Sequence, residues 1–241
     1  MIYILDILGV FAFSFLGACT ALQGRLNVIA VLTCAFLSAL GGGTIREVML
    51  DRVPFYFHDR WYLIAVLLAS MMAWIVREGL PLLRHVMAVL DAIGLVVFAY
   101  IGAHAAAHAH LGLSGMLLFA LLTAIGGGIL SDLAAHRTPQ VFQNALYAVP
   151  PILLAVLYWY LADIRDQPFT VPLLLISAFA VRMLSIYGLP TPTGSRVHAG
   201  LSRLVRHRPF LARPRFIQRH RPVTHGKRYG DSTPSTGTIV R

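Results

Sequence analysis

The sequence predicts an all-α membrane protein with seven transmembrane helices, arranged as two inverted three-helix repeats plus one extra helix. Three observations carry this prediction. First, the 241 residues are 57% hydrophobic and only 12% charged, with a mean hydropathy of +0.71, whereas a soluble domain carries about 25% charged residues. Second, apolar runs long enough to cross a bilayer recur along the chain. Third, the segment 1–85 is repeated, without gaps, in the segment that follows it. These properties exclude a soluble globular enzyme.

Seven apolar segments fit a membrane-spanning helix, and short polar or Pro-containing connections separate them. Their predicted ranges are 3–22, 28–50, 61–76, 86–107, 113–135, 146–162 and 170–187. The predicted organisation is a first three-helix repeat at residues 1–85, a second, inverted repeat at 86–165, a seventh transmembrane helix at 166–189 and a basic tail at 190–241.

A constant, ungapped offset in residue number relates the two repeats. Asp6 aligns with Asp91, and the triple glycine 41–43 aligns with 126–128. Because each repeat has three spans, the second copy must enter the membrane from the opposite side, as in the inverted repeats of transporters. Further aligned pairs are Gly9 with Gly94, Phe13 with Phe98, Gly17 with Gly102, Arg52 with Arg137, Pro54 with Pro139 and Tyr62 with Tyr147.

The net charge of +10 comes from the tail. Residues 190–241 hold eleven of the twenty Lys and Arg residues and one of the ten acidic residues. This segment is predicted to be disordered and to lie near anionic lipid. Binding of RNA or protein by the tail is the less favoured alternative, and no nucleic-acid partner is expected. Since Lys and Arg favour the cytoplasmic side, the tail is predicted to be cytoplasmic and the N-terminus to face outward.

The triple glycines lie inside the second and fifth predicted spans. Each glycine costs a helix about 1 kcal/mol relative to Ala, so we expect both helices to kink or break there. A break leaves carbonyl and N–H groups without partners in the helix, and such groups can bind ions. At membrane depth, irregular backbone of this kind is found only where it lines a cavity or is buried in protein. The breaks therefore predict a shared pathway near the bilayer midplane, with close helix packing as the alternative. The pathway residues are Gly41, Gly42, Gly43, Gly126, Gly127 and Gly128.

Polar residues follow each triple glycine and complete the predicted pathway. Arg46 and Glu47 come after the first, and Ser131 and Asp132 come after the second. Charged groups inside a span usually face a cavity or the protein interior, although Arg46 and Glu47 also lie close enough to the span end to reach the interface. The second repeat lacks the arginine, because Ser131 aligns with Arg46.

Other polar residues suit structural roles. Asp6 and Asp91 begin the first span of each repeat and are interpreted as helix N-caps, with a place at the mouth of the pathway as the alternative. His104, His108 and His110 are interpreted as interfacial residues, and no metal site is predicted. The sequence has no phosphate-binding loop, metalloprotease motif or nucleophile elbow, so neither an enzymatic activity nor a cofactor is expected.

Two segments resemble the duplicated bacterial membrane domain named for glycine transport, which is similar to the trimeric intracellular cation (TRIC) channels. The first is Leu90-Asp91-Ala92-Ile93-Gly94-Leu95, with Phe98 and Gly102. The second is Gly41-Gly42-Gly43-Thr44-Ile45-Arg46-Glu47, with Arg52 and Pro54.

The resemblance implies a seven-helix protomer with kinked second and fifth helices, a pore in each protomer and a homotrimer. It also implies residence in the bacterial inner membrane. Channel members conduct cations, chiefly potassium, whereas other bacterial members are linked to glycine uptake. The usual pattern has Arg-Asp after each triple glycine. This sequence has Arg46-Glu47 and Ser131-Asp132, which argues against a symmetric gate.

The predicted function is therefore a membrane cation channel, most simply for potassium. Carbonyl groups and the carboxylates of Glu47 and Asp132 would attract the cation. The alternative is a secondary carrier for glycine or a similar small zwitterion, in which Arg46 binds the carboxylate and Asp132 the ammonium group. A third alternative is a structural membrane protein whose basic tail recruits partners.

Overall fold

The computed structural model describes residues 2–79, 82–164, 167 and 169–188, and the predicted basic tail lies outside this part of the chain. Seven helices of twelve or more residues occur within it, and short helical turns lie in the connections. The seven are α1 (Ile2–Gln23), α2 (Val28–Met49), α3 (Trp61–Ile75), α4 (Arg84–His108), α5 (Leu113–Ala134), α6 (Val149–Tyr160) and α7 (Thr170–Tyr187).

Five of these helices are long and apolar enough to cross a membrane, counted over the described residues: α1, α2, α4, α5 and α7. Helices α3 and α6 have 15 and 12 residues, fewer than the roughly 20 that span a bilayer without tilt or thinning. Large apolar side chains such as Ile29 and Ile176 are exposed on the outside of the bundle, as expected for a surface in contact with lipid. The chain is a multi-pass membrane protein.

The duplication is visible in the way four helices end. Arg25, Asp51, His110 and His136 have φ angles of 55°, 54°, 57° and 55°, in the left-handed region that follows many helices. The first two positions align with the last two in the duplication. The amide of the next residue closes each turn: Leu26 N to Ala21 O, Arg52 N to Glu47 O, Leu111 N to Ala106 O and Arg137 N to Asp132 O, at 3.1, 2.8, 3.0 and 2.8 Å.

Glycines let α2 and α5 cross in close contact. A Cβ atom added to Gly42 would collide with the carbonyl oxygen of Thr123, and one added to Gly127 would collide with the carbonyl oxygen of Ser38. The two contacts are reciprocal, because Gly127 aligns with Gly42 and Thr123 with Ser38. Reciprocal contacts are what a two-fold relation between two copies produces.

The predicted breaks at the triple glycines are wrong. Helix α2 continues through residues 41–43, and α5 continues through residues 126–128. Close packing offsets the low helix propensity of glycine, since small residues allow membrane helices to approach each other. The alternative, that the glycines serve helix packing, therefore describes four of the six: Gly41, Gly42, Gly126 and Gly127 lie at the crossing.

A second reciprocal contact joins α1 and α4. The ring of Phe98 packs against Gly9, and the ring of Phe13 packs against Gly94. The two phenyl rings meet edge to face, with their centroids 5.1 Å apart, a favoured aromatic geometry. The repeats are thus interlocked along two of their three pairs of equivalent helices, α1 with α4 and α2 with α5, and this interlocked core places the polar residues described next.

Replacing Gly42 by Ala is expected to destabilise the protein, because the new methyl group would overlap the Thr123 carbonyl oxygen. Overpacking of this kind costs about 1–3 kcal/mol. Gly128→Ala is the matched control, since no described atom lies within 4 Å of a Cβ added there. Thermal unfolding of both variants in detergent tests the expectation. Equal midpoints for the two variants would show that the crossing is not tightly packed.

Candidate functional site

The third glycine of each triple lies where the two repeats differ. A Cβ added to Gly43 would lie 2.6 Å from the ring of Phe55, so this glycine is covered. Its counterpart Gly128 is half-buried and has no described neighbour within 4 Å of an added Cβ. Position 55 aligns with Gln140 in the second repeat. The half of the site around Gly43 is consequently filled by the Phe55 ring, and the half around Gly128 is open.

In the first repeat, Arg46 and Glu47 form a buried ion pair. Arg46 Nη2 lies 2.7 Å from Glu47 Oε1, and Nε donates to the same oxygen at 2.8 Å. The two residues are only 5% and 9% exposed. The Arg46 guanidinium lies 5.7 Å from the centre of the Phe55 ring. Arg46 and Glu47 therefore face the protein interior.

The interpretation of Asp6 and Asp91 as helix N-caps is wrong. Helices α1 and α4 begin at Ile2 and Arg84, so both aspartates lie inside a helix, where they are buried. Asp6 accepts a hydrogen bond from Tyr62 Oη, and Asp91 accepts one from Tyr147 Oη, each at 2.8 Å. The first tyrosine lies in α3 and the second in the short helical turn just before α6, and each binds the aspartate of its repeat's first helix. Asp91 lines the open half of the site.

In the second repeat, a cavity of about 310 Å³ lies beside the α2–α5 crossing. Its polar lining includes Ser38, Asp91, Ser131, Asp132 and Arg182. A neighbouring polar cavity of about 370 Å³ shares Asp132 and Arg182 with it and continues toward the exposed Arg137 and Gln143. Of the predicted site residues, Gly128, Ser131 and Asp132 line the first cavity, whereas Gly43, Arg46 and Glu47 belong to the filled half.

Sequence reasoning missed Arg182 and Phe55. Arg182 Nη2 lies 2.7 Å from Asp91 Oδ2, and its guanidinium lies 4.3 Å from the centre of the Tyr147 ring. The signal for Arg182 was present, since a lone arginine inside the apolar span 170–187 is a functional candidate. Phe55 gave no such signal because it lies in a connection between spans.

No group of three or more His, Cys, Asp or Glu side chains that could hold a metal ion occurs in the described part of the chain. His104 and His108 form a pair, with their Nε2 atoms 3.1 Å apart. They lie at the end of α4, and neither is among the residues that line the cavity beside Asp91.

The helices and the paired glycines define a class of duplicated helical membrane proteins. Comparison with known protein families identifies that class. The chain belongs to the family described as "Glycine transporter", whose sequence model matches residues 3–78 and again 88–163. The second match is displaced from the first by the same offset that the aligned glycines and aspartates show. The resemblance drawn from the glycine motifs is therefore confirmed.

The chain is similar to membrane proteins of two bacteria. The "UPF0126 membrane protein" of Deinococcus radiodurans is 34% identical over 161 residues, which cover 66% of this chain and 75% of that protein. The "UPF0126 inner membrane protein YadS" of Escherichia coli K12 is 33% identical over 160 residues, which cover 66% of this chain and 77% of the relative.

Solved structures share the fold. A prokaryotic TRIC channel crystallised in 0.5 M KCl has a TM-score of 0.72 at 24% identity, covering 77% of this chain and 95% of the channel. The TRIC trimeric intracellular cation channel orthologue from Rhodobacter sphaeroides has a TM-score of 0.70 at 27% identity, covering 78% of this chain and 98% of the orthologue. The fold is thus that of the TRIC channels.

Replacing Arg46 by Met is expected to lower the free energy of unfolding by about 3–5 kcal/mol, because Glu47 then remains buried without its cation. The double variant Arg46→Met, Glu47→Gln should recover most of that loss, since neither charge remains. Denaturation of the wild type, Arg46→Met, Glu47→Gln and the double variant completes a double-mutant cycle, which measures the coupling between the two side chains. Additive losses would contradict a buried ion pair.

Proposed function

We propose that the protein is a membrane cation channel, most simply for potassium, with a pore in each protomer beside the crossing of α2 and α5. The observation that carries the proposal is the polar cavity of the second repeat, whose charged lining residues are Asp91, Asp132, Arg84 and Arg182, located in a fold shared with TRIC channels. Asp91, Asp132 and Ser131 supply oxygen atoms there, and oxygen ligands in a confined site replace part of the hydration shell of a cation.

The proposed topology places the two repeats in opposite orientations across the bilayer. Reciprocal contacts at the α2–α5 and α1–α4 crossings support a two-fold relation, and three helices per repeat invert the second copy. In this arrangement α3 and α6 complete the seven spans despite their short length. We further propose an outward N-terminus, a cytoplasmic tail near anionic lipid, a homotrimer and residence in the bacterial inner membrane, as in the E. coli relative's name.

The described conformation suits a closed state of such a channel. The cavity in the second repeat reaches the polar residues Asp91 and Arg182. The equivalent region of the first repeat is occupied by the Phe55 ring against Gly43 and by the Arg46–Glu47 pair. An aromatic ring packed against a glycine is an apolar barrier to a hydrated ion. Conduction would therefore require Phe55 to move.

A carrier for glycine or a similar zwitterion is the second candidate. One observation favours it: the cavity holds a guanidinium group and carboxylates together, which suits a ligand bearing both charges. The roles differ from those expected for Arg46, because that residue is paired with Glu47 in the filled half. The channel remains the first choice because the solved structures that share the fold are cation channels.

Purified protein in proteoliposomes should carry potassium under an imposed potential and take up no labelled glycine. A channel pathway conducts without a tightly bound intermediate, so flux should rise with potassium concentration over a wide range. Protein-free liposomes are the control for leak. Saturable glycine uptake with no independent potassium flux would overturn the channel and support the carrier.

Phe55→Ala is expected to increase potassium flux several-fold, because it removes the ring that covers Gly43. Phe57→Ala is the matched control, since Phe57 belongs to the same short helical turn but is 71% exposed. The same potassium flux assay measures both. An equal effect of the two substitutions, or none from Phe55→Ala, would show that Phe55 is not the barrier.

A further inference from the structure

The second repeat has no arginine at the position that aligns with Arg46, and helix α7 supplies one to that half of the site. Arg46 of the first repeat aligns with Ser131, which brings no charge to the second half. The described structure instead places Arg182, from α7, beside the cavity of the second repeat. Helix α7 lies outside the duplication, so its arginine is not a copy of Arg46. Each half of the molecule nevertheless contains one buried guanidinium group.

The two guanidinium groups have similar surroundings. Arg46 pairs with Glu47 at 2.7 Å and lies over the Phe55 ring, and Arg182 pairs with Asp91 at 2.7 Å and lies over the Tyr147 ring. Both arginines are buried, at 5% and 4% exposure. The surroundings of the two ion pairs differ, because Arg46 lies beside the Phe55 ring in the filled half, whereas Arg182 borders an open cavity.

The Arg182–Asp91 pair is incompletely satisfied. Only Nη2 of the guanidinium has a hydrogen-bond partner among the described residues, whereas Nε and Nη1 have none. The hydroxyl of Ser131, on the same cavity, also lacks a described partner. Structural arginine–carboxylate pairs are commonly bidentate, and a buried donor without a partner is costly. Two buried donors of Arg182 are thus free to bind another group in the cavity.

We infer that Arg182 determines the charge specificity of the second half of the pathway, as a tethered cation that competes with a mobile cation for Asp91. This inference rests on the proposed function and assigns a role to a residue outside both repeats. With Arg182 in place, the charge of Asp91 is neutralised, and Asp132 and the exposed Arg84 are the other charged residues that line the cavity. When Arg182 moves away, both carboxylates face the cavity.

The test measures the electrostatic potential of the cavity without measuring transport. A cysteine is introduced by Gly128→Cys, where the added side chain has room, in a Cys19→Ala, Cys34→Ala background. Its reaction rates with a cationic and an anionic methanethiosulfonate reagent are compared. Arg182→Gln should raise the ratio of cationic to anionic rates on the order of tenfold, because one positive charge is lost close to the thiol. Arg182→Lys should keep the original ratio.

Asp91→Asn provides the opposite electrostatic expectation, because it removes a negative charge from the cavity lining. It leaves Arg182 without its carboxylate and should lower the same ratio. Arg77→Gln is the matched control, since Arg77 is exposed and stacks on Trp74 outside the cavity. Size-exclusion elution identifies folded variants. An unchanged ratio in folded Arg182→Gln or Asp91→Asn protein would overturn the inference.

Flux measurements separate this inference from the proposed function. If the wild-type protein conducts potassium, Arg182→Gln should raise the flux at low potassium concentration several-fold, and Arg182→Lys should not. An unchanged flux at low potassium concentration would contradict competition for Asp91. If the wild-type protein carries no potassium, the channel proposal fails, whereas the labelling ratios still show whether Arg182 sets the charge of the cavity.

Discussion

The close crossing of α2 and α5 is the constraint on which the other features depend. Gly42 and Gly127 bring each helix against a backbone carbonyl of the other, and only a residue without a Cβ permits that approach. Once the crossing is fixed, the polar residues after each triple glycine lie on opposite sides of it. Three consecutive glycines would destabilise an isolated helix. Here the packing that they allow keeps both helices continuous.

The two repeats therefore share a nearly symmetric backbone and packing, but the side chains around the third glycine of each repeat differ. The helix ends, the tyrosine–aspartate hydrogen bonds and the glycine contacts of the first repeat recur at the aligned positions of the second. The side chains around the third glycine do not repeat, since Phe55 covers Gly43 and nothing described covers Gly128. In a pathway formed by two-fold-related repeats, filling one half closes the pathway at one end and leaves a cavity at the other.

The fold was largely predictable from the sequence, whereas the site was only partly so. The duplication and the helix ranges follow from hydropathy and an ungapped offset, because membrane spans carry a strong local signal. The continuity of α2 and α5 was not predictable from propensity, since tertiary contacts at Gly42 and Gly127 override it. The aspartates were misjudged because α1 and α4 extend before them. Arg182 and Phe55 reach the site from α7 and a connection, and no motif spacing relates them to it.

Water is expected to reach the second half of the site, around Gly128, and not the first half, around Gly43. Radiolytic hydroxyl-radical footprinting of the unmodified protein compares Tyr147 with its counterpart Tyr62, two buried tyrosines that each bind an aspartate. Tyr147 lines the cavity and Tyr62 packs against Phe55, with ring centroids 4.5 Å apart. Tyr147 is expected to be modified faster than Tyr62. Equal rates, or faster modification of Tyr62, would show that water does not favour the second half of the site.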